Sequence, residues 1–194
     1  GSTVWLNEST RLSYEQDFTE RIVHLEGEAF FDVTKKEGKS FTILSGEAST
    51  TVLGTSFNVR AYPKEDQIEV TVATGKVALK NIETTKEVQL VAGQSGVLEK
   101  PTEEVRIEAE VNLNADAWKT QELKFDDAPM SEVIQAAERF YGVKIIADDN
   151  LLNCPLTSTT GSDFNDFIKT LNFMNSFKVE QRDSVYIISG KGCN

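Results

Sequence analysis

The side chains of this 194-residue sequence that could do catalytic chemistry are few and scattered. Its only histidine, His24, lies inside the run Ile22–Leu25, at an alternating position of a predicted strand. A histidine in that setting is more often an ordinary strand residue than a general base. Nucleophilic catalysis needs a nucleophile with a base in reach, and the sequence shows no such pair. We therefore expect a protein that is not an enzyme.

Carboxylates are plentiful, but they occur singly or in pairs at predicted turns, such as Asp126-Asp127 and Asp148-Asp149. A glycosidase would need only two carboxylates and no motif. Sugar sites usually expose aromatic rings, however, and most aromatic residues here fall within apolar core patterns. No metal, nucleotide or haem signature occurs, so no cofactor is expected.

The two cysteines, Cys154 and Cys193, each lie beside a predicted strand in the C-terminal part of the chain. In an oxidising compartment two cysteines in one small domain fit a disulfide. Spacing alone leaves two unrelated thiols equally open. Neither belongs to a CxxC pair, which argues against a metal site.

The composition excludes several classes of partner. The net charge is −11, with 31 acidic against 20 basic residues, which argues against nucleic acid and against anionic membrane surfaces. No apolar run approaches the ~20 residues of a membrane span, and no signal peptide opens the chain. Gly1 and Ser2 resemble an expression scar. We expect an excised soluble part of a longer protein.

The first part of the chain, residues 3–112, reads as an all-β domain. Short runs rich in Val, Ile, Thr and Phe alternate with turn signals, and no helical periodicity of useful length appears. Glycines within these runs predict bulges or corners, and no helix follows them to bind a phosphate. A twisted sandwich or a short β-solenoid-like domain is expected. The glycines are Gly27, Gly54, Gly75 and Gly93.

A polar segment, residues 113–119, is the predicted linker between two domains. Its one large apolar side chain is Trp118, which we expect to pack at a domain seam rather than to contact a partner. The second domain then occupies residues 120–192.

The second domain contains a repeat. From Leu123 to Asp148 the sequence reads as strand, turn, helix and strand, with Asp127 and Pro129 as helix-start residues and Gly142 as the stop. The same apolar stripe recurs 34 residues later, and SVYIIS adds a final strand. A small α+β domain of the order βαββαββ is predicted. Its helical stripes are Met130, Val133, Ile134, Ala137 and Phe140, then Phe164, Phe167, Ile168, Leu171 and Met174.

Phe173 does not fit the core stripe of the second helix. It points opposite to Phe164, on a face with Asp166, Lys169 and Thr170. Two interpretations stay open: Phe173 packs against the β domain, or it is an exposed anchor for a partner protein.

Several strings match those of a known family. They are Gly27–Val33 (GEAFFDV), Leu53–Val59 (LGTSFNV), Gly75-Lys76-Val77, Ala92-Gly93-Gln94 after Leu90, and Trp118 ahead of Leu123, Phe125 and Pro129. In this order, and over essentially the whole chain, they resemble the FecR-type anti-sigma regulators. GEAFFDV and LGTSFNV together carry most of the specificity.

The resemblance implies the periplasmic region of a single-span inner-membrane protein of a Gram-negative bacterium, with a FecR domain and a C-terminal STN-like domain. Its implied partner is the N-terminal signalling domain of an outer-membrane TonB-dependent transducer. Binding would relay a signal, through intramembrane proteolysis, to an extracytoplasmic-function sigma factor held by a cytoplasmic segment outside this sequence. A periplasmic location would also favour the Cys154–Cys193 disulfide.

We therefore expect the transducer to dock on the C-terminal domain, partly by strand addition. The predicted free edges are Val185–Ser189 and Leu156–Thr160, so Val185, Ile187 and Leu156 join Phe173, Lys169 and Asp166 as candidate partner-binding residues. Two alternatives remain: a periplasmic carbohydrate- or ligand-binding module without catalysis, and a ring-forming assembly piece.

Overall fold

The computed structural model describes residues 1–17, 20–109, 112–175 and 177–193, with the side chains of Met174 and Asn175 outside the description. The chain divides into two compact units, unit 1 (Gly1–Ala115) and unit 2 (Asp116–Asn194). Each unit has a buried hydrophobic core of its own.

Unit 1 is built from strands alone in its described part. They are β1 Thr3–Leu6, β2 Arg11–Tyr14, β3 Ile22–Asp32, β4 Phe41–Ser45, β5 Ala48–Val52, β6 Ser56–Ala61, β7 Gln67–Thr74, β8 Lys76–Asn81, β9 Glu87–Val91, β10 Ser95–Glu99 and β11 Glu104–Ile107. Hydrogen bonds join them in the order β11-β10-β7-β6-β3-β4-β5-β8-β9, and β1 and β2 also pair with β3.

Strand β3 is shared by two halves of this sheet. Its residues 22–24 pair with β4, whereas its residues 27–32 pair with β6. One buried cluster contains side chains from both halves: Phe31 stacks on Phe57 with ring centroids 5.4 Å apart, and also lies 6.2 Å from Phe41 of the other half. Because alternate residues of each strand enter this shared core, the fold is the predicted all-β, twisted sandwich.

The four glycines singled out in the sequence stand where the chain passes between the halves, as predicted. Gly27 lies within β3, Gly54 between β5 and β6, Gly75 between β7 and β8, and Gly93 between β9 and β10. Gly27 has φ +113°, and a Cβ there would lie 2.5 Å from Oγ1 of Thr10. A side chain is excluded at this corner by both backbone conformation and space.

A buried ionic network stabilises unit 1 beside this corner. The carboxylate of Glu28 accepts hydrogen bonds from Asn7 (2.8 Å), Asn58 (2.9 Å) and the Arg60 guanidinium (2.9 Å). Arg60 also pairs with Glu65 and lies over the ring of Tyr62. Burial opposes the charge of Arg60, but these carboxylates outweigh it and raise its pKa.

Unit 2 is the predicted small α+β region. Its elements are α1 Ala117–Thr120, β12 Leu123–Pro129, α2 Met130–Tyr141, β13 Lys144–Ala147, a 3-10 turn Asp149–Leu151, β14 Pro155–Thr160, α3 Phe164–Asn175, β15 Lys178–Arg182 and β16 Val185–Ser189. Strand β12 pairs with β14, and a second sheet has the order β13-β16-β15. Trp118 lies in α1, while its proposed role at a domain seam stays a prediction.

The 34-residue repeat is confirmed in three dimensions, since α2 starts at Met130 and α3 at Phe164. Buried side chains of both helices share one core, and Gly142 ends α2 in the left-handed conformation. The side chain of Met174 falls outside the described residues. The last strand, SVYIIS, is β16, which pairs in parallel with β13.

The prediction that Asp127 helps to start α2 was wrong. Asp127 lies in an irregularity of β12 with φ +53°, and α2 has no side-chain cap. Its first N–H groups instead donate to backbone carbonyls: that of Met130 to Cys154 and that of Ser131 to Leu152, both at 2.9 Å. Tertiary neighbours thus satisfy the donors that a cap would have satisfied.

Candidate partner-binding surface

Helix α3 presents the most exposed large apolar side chain among the described residues. Asp163 caps the helix by accepting a hydrogen bond from the N–H of Asn165 (2.8 Å), and Phe167 and Leu171 are buried beneath it. On the opposite side Phe173 is 90% exposed. An apolar ring so placed gains free energy only when another surface covers it.

Lys169 and Asp166 form an exposed ion pair one and two turns before Phe173. The Lys169 ammonium donates to Asp166 Oδ1 at 2.7 Å, and this hydrogen bond and charge raise the pKa of Lys169. Thr170 Oγ1 also donates to the carbonyl of Asp166 (2.9 Å). The α3 face, which we define as Asp166, Lys169 and Phe173, therefore combines one apolar anchor with two charged groups of fixed geometry.

The prediction that Val185–Ser189 is a free edge was wrong. Strand β16 lies between β13 and β15, in parallel register with one and antiparallel register with the other. Both edges of its backbone are therefore occupied, and it cannot accept an added strand. The sequence did not reveal this because the parallel β13–β16 pairing joins segments about 40 residues apart.

Val185 and Ile187 instead lie on the outer face of this sheet. Ile187 is in register with Ile146 of β13, and neither belongs to the core, whereas Ile145 and Ile188 are buried against the helices. Ile146 is 54% exposed. We call Ile146, Val185 and Ile187 the outer sheet face. Sequence reasoning missed Ile146, although two consecutive isoleucines in a strand must point to opposite faces.

Leu156 is placed differently again. Its side chain is 1% exposed and belongs to the core of unit 2, so its prediction as a side-chain contact was wrong. Alternation along β14 directs Leu156 inward, as in any half-buried strand. Strand β14 pairs only with β12 within the described residues, which leaves the other edge of Pro155–Thr160 open for backbone pairing.

A disulfide joins Cys154 to Cys193, with Cα atoms 5.5 Å apart. Cys154 is fully buried at the start of β14, and Asn150 Nδ2 donates to the carbonyl of Gly190 (3.1 Å) alongside it. The bond therefore fastens the segment after β16 to the segment before β14.

Metal-binding clusters and membrane-spanning helices are both absent from the described residues. No group of three or more His, Cys, Asp or Glu side chains in the described ranges could hold a metal ion. No helix in the part of the chain described is long and apolar enough to cross a membrane.

Comparison with known proteins gives this arrangement a family. Residues 1–78 match the family model described as FecR protein, and residues 122–188 match the model described as FecR, C-terminal. The chain belongs to the FecR family. FecR proteins are membrane-anchored anti-sigma regulators. No curated protein matches the sequence.

Two solved structures of a protein classed as an anti-sigma factor from Parabacteroides distasonis resemble this FecR-family chain. One has a TM-score of 0.70 at 28% identity, covering 99% of this chain and 92% of the other. The second has a TM-score of 0.68 at 28% identity, covering 99% and 91%. The likeness extends over both units.

Proposed function

We propose that this chain is the periplasmic sensor region of a transmembrane anti-sigma factor. In this proposal unit 2 binds the N-terminal signalling domain of an outer-membrane TonB-dependent transducer. The signal then passes to an extracytoplasmic-function sigma factor, which is held by a cytoplasmic segment beyond this sequence. The observation that carries the proposal is the match of both family models, in order, on two separately folded units.

The disulfide supports a periplasmic location. Disulfides persist in oxidising compartments and are rare in the reducing cytosol. Cys154 is fully buried, so its sulfur is shielded from soluble reductants once the bond has formed. A cytosolic location would not favour this bond in a small domain.

The α3 face supports docking on unit 2. Phe173 is the best candidate anchor because its ring is 90% exposed, and burying an aromatic ring contributes more to binding than burying most other side chains. Lys169 and Asp166 would form the polar rim of such a contact. The open edge of Pro155–Thr160 could add backbone hydrogen bonds from a partner strand.

Calorimetric titration tests the proposal. The whole chain is titrated with the purified signalling domains of the TonB-dependent transducers from the same genome, one at a time. We expect one of them to bind. Replacing Phe173 by Ala should then weaken this affinity about 30-fold, the effect typical of an aromatic hot spot.

Arg139 provides the matched control, because it occupies on α2 the position that Phe173 occupies on α3, 34 residues later. Arg139→Ala should leave the affinity within about twofold. Failure of every signalling domain to bind would refute the transducer proposal. Binding that Phe173→Ala leaves unchanged would refute the α3 face alone, and Ile146→Asp would then test the outer sheet face.

A further inference from the structure

Four lysines that are separated in the sequence lie at one end of unit 1. Lys35, Lys36 and Lys39 belong to the connection between β3 and β4, and Lys76 begins β8. All four are exposed. We call these four side chains the lysine end.

The β3–β4 connection is held in place by a buried arginine. Arg21, only 7% exposed, donates to the carbonyls of Lys39 (3.4 Å) and Thr34 (3.0 Å). The Lys39 N–H donates to the carbonyl of Lys36 (3.1 Å), which closes a tight turn. The lysines of this connection therefore project from an ordered loop.

The loop packs on the Gly54 corner, where β5 leads into β6. A Cβ on Gly54 would lie 2.7 Å from Cβ of Lys35, so the two backbones are in close contact. Thr55 Oγ1 donates to the carbonyl of Lys76 (3.0 Å), which brings the fourth lysine to the same corner. Leu53, at this corner, is 59% exposed.

The lysine end is a positive region on an acidic chain. None of its four lysines forms an ion pair with another described residue, whereas Lys124, Lys144 and Lys169 each do. The acidic residues of the same segments are Glu20, Asp32 and Glu37, fewer than the four lysines with Arg21. At physiological ionic strength fields are screened within about 8 Å. A nearby surface therefore senses this end and not the net charge of −11.

The chain also enters unit 1 at this end. Strand β1 begins at Thr3, which is in register with Asp32, just before the lysine-bearing connection. FecR proteins are membrane-anchored, and under the proposed function the anchor precedes this chain. The lysine end would then be the part of unit 1 nearest to the bilayer.

We propose that the lysine end binds the anionic phospholipid headgroups of the anchoring membrane, with Leu53 contacting the interface. This inference rests on the proposed function only for the position of the anchor. Each lysine close to an anionic surface raises the affinity about fivefold. Removing three should lower it on the order of 100-fold.

Vesicle co-sedimentation and NMR test the proposal on the chain as it stands. Vesicles contain equal parts of phosphatidylglycerol and phosphatidylethanolamine, with pure phosphatidylcholine as the neutral comparison. For NMR, a spin-labelled lipid broadens the amide signals of residues near the surface, which detects weak contacts. We expect broadening at residues 34–39, Leu53 and Lys76 with anionic vesicles only, and its loss when salt rises from about 0.15 M to about 0.5 M.

The variant K35Q/K36Q/K39Q should lose this binding. The control K64Q/K80Q/K86Q changes the net charge equally at other positions of unit 1 and should retain it. Equal loss in both variants, equal broadening with phosphatidylcholine, broadening centred elsewhere, or no broadening at all would each overturn the proposal. So would tight binding of a polyglutamate peptide with no response to vesicles, since that would assign the end to an acidic protein. Transducer binding is measured without lipid, so the two proposals fail independently.

Discussion

Removing the Cys154–Cys193 disulfide should lower the stability of unit 2 and leave unit 1 unchanged. The bond closes a loop with a sequence separation of 39 residues. In the chain-entropy account, cross-linking a loop of that length destabilises the unfolded state by about 4 kcal/mol at 25 °C. Substitution of both cysteines by Ala should therefore cost unit 2 about 2–4 kcal/mol, the range in which native disulfides usually fall.

Hydrogen exchange followed by mass spectrometry measures this because it reports each unit separately. Exchange of the most protected amides of unit 2 should become about 30- to 1,000-fold faster in Cys154→Ala/Cys193→Ala. Urea unfolding gives a second value. With a slope of about 1 kcal/mol/M for a unit of this size, the midpoint should fall by about 2–4 M.

Two outcomes would refute this reasoning. A loss below about 1 kcal/mol in unit 2 would mean that the segment after β16 does not limit unfolding, or that the bond does not form. An equal loss in unit 1 would mean that the two units unfold together. Wild-type chain under reducing conditions is the control, since it should reproduce the double variant.

Three further predictions concern single side chains. Glu28→Ala should lower the free energy of unfolding of unit 1 by about 3 kcal/mol, because it leaves buried Arg60 with one carboxylate fewer; urea unfolding within about 1 kcal/mol of wild type would contradict it. Tyr141→Phe should cost unit 2 about 1 kcal/mol. Burial raises the pKa of Tyr141, so its neutral hydroxyl stabilises the fold below pH ~10, and the difference between wild type and variant should shrink above that pH; a constant difference up to pH ~11 would count against it. Gly27→Ala should cost about 2 kcal/mol or more because of the close contact at its corner, whereas Gly93→Ala, with φ +82° but open space, should cost about 1 kcal/mol; equal melting temperatures would contradict the steric argument.

The repeat in unit 2 could be predicted because its signals are local. A helical stripe depends on residues three and four positions apart, and Gly142 ends α2 where its left-handed conformation is needed. The corners of unit 1 were also predictable, since a glycine in the middle of an apolar strand indicates a bend. Both patterns could be found without knowing which strands are neighbours.

Strand order could not be predicted in the same way. Whether β16 is an edge or a central strand depends on a parallel pairing with β13, and its alternation is the same in either place. The start of α2 shows the same limit, because its N–H groups are satisfied by Cys154 and Leu152 and not by the adjacent Asp127. For this reason the candidate residues Val185 and Ile187 moved from an edge to a face, and Leu156 moved into the core.

The sequence by itself determined the two-part architecture, the 34-residue repeat and the family, because these depend on residue order and short-range periodicity. It also showed that Phe173 falls outside the helical stripe. Only the tertiary structure decided that Phe173 is exposed, that Ile146 joins Val185 and Ile187, and that four distant lysines meet at one end of an acidic chain. The physical reason is that exposure, edges and local charge arise from contacts between segments far apart in the sequence, which composition averages away.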